Sequence, residues 1–72
     1  MATSLLLQSR ADQVLRQSPI PALRRLEVEE TDRQIILYGS VPSYYLKQLA
    51  QETLMPVLGS RELRNRVTVV QA

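Results

Sequence analysis

Glu27, Glu29, Glu30 and Asp32 crowd one short stretch of this chain, and two tyrosines stand side by side at Tyr44 and Tyr45. These are the residues whose types and spacing could do chemistry. Clustered carboxylates can work as general acid and base, or hold a hard cation. The chain has no histidine and no cysteine. That removes the usual general base, the commonest metal ligand, thiolate sites and disulfides. Alternation with Leu26 and Val28 turns Glu27 and Glu29 outward. The oxygen spacing of a calcium loop is missing. No catalytic residue, metal or cofactor is therefore expected. With two glycines, far apart, the chain also lacks a glycine-rich phosphate loop and the GXXG loop of a KH-type RNA module.

Adhesion is the chemistry that remains. Tyrosine rings are amphipathic and favour membrane interfaces and binding hot spots. Tyr44 and Tyr45 are the leading contact candidates, although ordinary packing would lay one ring on the core. Lys47 beside them would attract anionic head groups, at about 1 kcal/mol per charge near a surface. Arg61, Arg64 and Arg66 form a local basic group suited to phosphate or an acidic partner. The formal net charge is +2 and acidic residues interleave with basic ones. Nucleic-acid binding therefore ranks last, because such binders cluster their basic residues.

The elements that must position these groups can be read from periodicity. At 72 residues the chain reads as a single domain over 1–72. Such a domain buries only about 60% of its unfolded surface, and oligomerisation is one way to supplement its stability. A first helix is expected over about 4–17, capped by Ser4, with Leu7, Ala11, Val14 and Leu15 as its apolar stripe. Pro19 and Pro21 end it, and Ile20 to Leu23 form a connector or single turn. A strand over 25–30 turns through Thr31 to Gln34 into a second strand over 34–39. That second strand places Ile35 and Leu37 on one face and Ile36 and Tyr38 on the other.

Gly39 bends the chain and Ser43 caps a helix over about 43–55, with Leu46, Leu49, Ala50, Thr53 and Leu54 inward. Pro56 and Gly59 punctuate its end. A last strand spans 62–70, with Asn65 suited to a bulge or turn. The order αββαβ implies an α+β fold, with two helices packed on one face of a three-stranded mixed sheet. Its strand–helix–strand crossover is expected to be right-handed. The exposed sheet edges supply a second functional reading, a structural or self-assembly module forming a weak homo-oligomer through sheet-edge or helix-face contacts.

No run approaches the roughly 20 apolar residues of a membrane span. Leu5 to Leu7 lack a basic n-region and are too short for a secretory h-region, so no targeting signal is visible. A chain beginning after a removed signal reads the same way.

Across Ala22 to Val70 the sequence resembles the BON domain, a module named for bacterial osmotic-stress and nodulation proteins. Leu26-Glu27-Val28 matches the family's alternating strand. Leu37-Tyr38-Gly39-Ser40-Val41 matches its apolar strand, glycine and valine. Lys47, Ala50, Gly59, Leu63, Asn65, Val67 and Val69 follow at the family spacing. Two positions depart from the pattern: Asp32-Arg33 stands where a hairpin glycine is common, and Ser60 where a valine is common. The resemblance implies a non-enzymatic module that attaches to phospholipid surfaces or partner proteins, often in the bacterial envelope or periplasm. It carries over no catalytic or ligand residues. Gly39, Ser43, Gly59 and Asn65 are expected to be structural.

Overall fold

The computed structural model describes residues 9–70. The Ser4 cap and the leucines before Ser9 lie outside these residues. Helix α1 runs Arg10–Arg16, and its N-cap is Ser9, whose hydroxyl accepts the Asp12 amide at 2.9 Å. Ala11 and Leu15 point inward and are fully buried. Arg16 fastens the helix end, donating to Asp12 Oδ1 at 3.0 Å and to the Leu26 carbonyl at 2.6 Å.

Helix α2 is a single turn, Pro21–Arg24. Pro21 occupies its first turn, where the missing N–H is no loss. Strand β1, Glu27–Glu30, pairs antiparallel with β2, Gln34–Tyr38. The expected hairpin joins them without a glycine. Thr31 Oγ1 accepts from the Arg33 and Gln34 amides at 3.2 and 3.1 Å, which holds the tight loop.

Strand β3, Ser40–Val41, leads to helix α3, Tyr44–Leu58. The chain returns as β4, Glu62–Asn65, and β5, Thr68–Val69. The main sheet has the order β1-β2-β4, with β2 and β4 parallel, and β3 and β5 form a second parallel pair. The fold is thus α+β with a three-stranded mixed sheet. Ile35 and Leu37 of β2 meet Ala11, Leu15, Ala50 and Leu54 of the helices in the buried core, with Leu23, Leu26, Val41 and Val67 at its margins.

Several boundaries differ from expectation, each for a physical reason. The helix expected over about 4–17 is not helical at Ser9, whose backbone is extended (φ −67°, ψ 151°) so that its hydroxyl can cap the helix that begins at Arg10. The strand expected over 25–30 begins at Glu27, because Arg25 closes the preceding helical turn. Helix α3 runs past Pro56 to Leu58. Pro56 is exposed, while Val57 and Leu58 pack on the core and so reward one more turn. Arg61 then donates to the Val57 and Leu58 carbonyls at 2.7 and 3.0 Å, satisfying the frayed end. The last strand, expected over 62–70, is interrupted after Asn65, whose side chain takes the Val67 amide at 3.1 Å. The short β3 was not anticipated. Its pairing repeats the β2–β4 register, since Leu37 pairs with Asn65 and Ser40 with Thr68.

Gly39 makes that continuity possible. Its φ is +126°, and a Cβ there would sit 2.6 Å from Leu26 Cδ2. Gly59 ends α3 at φ +67° with open space around it. Gly39→Ala is therefore expected to destabilise by roughly 2–4 kcal/mol, from strain plus a clash. Gly59→Ala is expected to cost less, about 1–2 kcal/mol, from strain alone. Urea denaturation of both variants checks the order.

Candidate docking surface

Ser43 sets the direction of α3. Its hydroxyl accepts the Leu46 amide at 3.2 Å, fixing the first turn. Leu46, Ala50, Leu54 and Val57 then point at the core. Helical spacing leaves Tyr44 and Tyr45 on the solvent side, 70% and 72% exposed. Neither ring packs on the core. Met55, 51% exposed, lies about three turns further along the helix.

An open groove of about 480 Å³ lies beside Tyr44, lined also by Lys47, Gln48, Gln51 and Asn65. A smaller depression of about 250 Å³ runs along Tyr45, Gln48, Leu49 and Glu52. Gln48 stands between the two. Asn65 forms one wall of the larger groove and is held firmly there. Its Nδ2 donates to the Lys47 carbonyl at 3.0 Å and to Gln51 Oε1 at 3.3 Å. The residue expected to break the last strand therefore also ties that strand to α3.

The basic residues separate. Arg61 is occupied internally, donating to the end of α3 and to Glu30 Oε1 at 2.6 Å. Arg64 on β4 and Arg66 just beyond its end are exposed, on the side of the sheet opposite the buried Ile35 and Leu37. Of the expected contact residues, the structure brings Tyr44 and Lys47 together with Asn65 in one groove, places Tyr45 in the neighbouring depression, and leaves the three arginines elsewhere. Gln48 and Gln51 were not singled out from the sequence, where exposed helix amides carry no signal of their own. Among the described residues no three acidic side chains converge as a metal site, and no helix is long and apolar enough to cross a membrane.

The carboxylate cluster is likewise divided. Glu27 and Glu29 point outward as alternation required, and Asp32 is exposed in the hairpin. Glu30 turns the other way and pairs with Arg61, the two side chains being 18% and 25% exposed. Its Oε2 is enclosed without a hydrogen bond of normal geometry. Burial opposes ionisation of this carboxyl, but the Ser9 hydroxyl, the Arg61 guanidinium and the Ala11 amide outweigh it and hold the pKa below 4.5.

A depressed carboxyl pKa contributes stability that is complete above its unfolded value and is lost as pH falls through the folded one. Glu30→Gln is accordingly expected to destabilise by about 1–3 kcal/mol at neutral pH, leaving the half-buried Arg61 guanidinium without a charged partner. The gap from the parent chain should narrow as the pH is lowered past 4.5. Urea denaturation across a pH series measures both effects.

Comparison with known proteins finds no family model, no curated protein and no solved structure that matches this chain.

Proposed function

We propose that this chain is a non-catalytic binding module that docks through the first turns of α3 on a phospholipid surface or a partner protein. One observation carries the reading: adjacent tyrosines 70% and 72% exposed at the start of a well-capped helix. Leaving two large rings in water has no stabilising role in a domain this small, whereas rings on a rigid helix turn lose little entropy when they dock. The resemblance to BON domains supports the same kind of attachment.

The groove beside the rings suits polar contacts. Its glutamines and Asn65 offer donors and acceptors that could meet a polypeptide or the head-group region of a membrane. Lys47 supplies positive charge there, and Glu52 offsets it in the neighbouring depression. Charge attraction to anionic lipid is therefore modest, and the rings provide most of the adhesion.

Co-sedimentation with phosphatidylglycerol-containing vesicles at low salt tests the reading. The parent chain is expected to sediment with the vesicles, and the double variant Tyr44→Ser, Tyr45→Ser to do so about fivefold less or worse. Absence of binding to anionic vesicles at low salt removes the lipid branch. Recovery of the same protein partners by the parent chain and the double variant removes the partner branch.

A further inference from the structure

Charge on the outer face of the sheet is laid out in rungs. Strand pairing puts Glu29 opposite Ile36 and Glu27 opposite Tyr38. On the other side of β2, Ile36 lies opposite Arg64. The Arg66 amide donates to the Leu37 carbonyl at 2.8 Å, which carries the same register one rung further and sets Arg66 beside Tyr38. The phenol feels both neighbours. Its hydrogen bond to Glu29 raises its pKa, and the charge of Arg66 partly opposes this.

Two rungs of one pattern result: Glu29–Ile36–Arg64 and Glu27–Tyr38–Arg66. All four charged residues are exposed, Tyr38 is 38% exposed and Ile36 half-buried. Among the described residues no element covers this face. Within these two rungs one edge is acidic, the opposite edge basic, and the centre apolar; Arg64 also lies 3.9 Å from Glu62 on its own strand, a loose and exposed pair that leaves its guanidinium accessible.

Such a face is complementary to itself in one orientation. A two-fold axis across the strands would set each copy's β1 over the other's β1, acid on acid. An axis parallel to the strands sets β1 over β4 and keeps the height of each rung. Glu29 then meets Arg64 of the second copy and Glu27 meets Arg66, with Ile36 and Tyr38 between. Glu62, one rung away, meets the neutral Thr31. We propose that this face binds a second copy of this chain, outer sheet to outer sheet, about a two-fold axis parallel to the strands. Aligned packing at about 10 Å between sheets accommodates it. Three strands spaced about 4.8 Å apart present only a few hundred Å² per copy. That is below the roughly 800 Å² per partner of standard interfaces, so the dimer is weak and salt-sensitive. The rings of α3 lie on the helical layer and stay free for docking.

Sedimentation equilibrium at low salt, up to about 1 mM chain, tests the proposal, with two charge-reversed variants for comparison. One carries Glu27→Arg and Glu29→Arg; the other carries Arg64→Glu and Arg66→Glu. Each alone is expected to associate at least about tenfold more weakly than the parent, because like charges then face each other. Mixed in equal amounts they are expected to associate about as well as the parent, since a basic edge then meets an acidic one at both rims. The single variants Glu29→Lys and Arg64→Glu run the same test where circular dichroism shows that a double variant has not folded. A parent chain strictly monomeric at that concentration overturns the proposal. So does a mixture that fails to associate although both variants are folded. Tyr38 resonances should shift with concentration, and concentration-independent protection of Tyr38 would assign the face to another segment of the same chain.

Discussion

The parallel pairing of β2 with β4 is the constraint on which this small structure depends. Side chains alternate along a strand, so a slip of one residue would carry Leu63 outward and Arg64 into the core. Ile35 and Leu37 fix β2 by their burial, and Leu63 and Val67 fix the returning chain. The ladder then continues beyond the sheet proper. Thr68 donates to the Gly39 carbonyl and Val70 to the Val41 carbonyl, each at 2.8 Å. Glycine at position 39 is required because the chain must bend there against Leu26 without losing that register.

Two polar residues fasten the layers around this ladder. Asn65 joins the end of β4 to the first turns of α3. At the opposite end of the strands, Arg61 spans β2 to reach Glu30 on β1 while holding the carbonyls of α3. Both act across the sheet–helix boundary. The consequence for function is positional. With α3 tied near both ends, its orientation on the sheet is fixed, and Tyr44 and Tyr45 face solvent. On the other layer, the same register writes acid, apolar and basic residues in line.

Much of this was legible in the sequence because it rests on local rules. Ser43 caps α3 as its position before an apolar period suggests. Alternation sorts Ile35 and Leu37 from Ile36 and Tyr38. Gly39 and Gly59 stand where the backbone needs positive φ. What was not legible depends on distant partners. Pro56 reads as a helix stop, and only the packing of Val57 and Leu58 with the Arg61 bonds shows why the helix outlasts it. Arg61 reads as surface charge like Arg64 and Arg66 until Glu30 is brought beside it. Glu30 itself sits among outward carboxylates, and one position in the alternation separates its role from theirs. Strand β3, Ser40–Val41, is too short to show a period and is seen as a strand only because β5 is placed beside it.

Amide hydrogen exchange followed by NMR tests the register most directly. In a parallel ladder an edge strand turns alternate amides toward its neighbour and the rest to solvent. The Arg66 and Thr68 amides, bonded to Leu37 and Gly39, should exchange slowly, and those of Asn65 and Val69 fast. Slow exchange at Asn65 and Val69, with Arg66 and Thr68 fast, would show the strand slipped by one residue and would contradict the account.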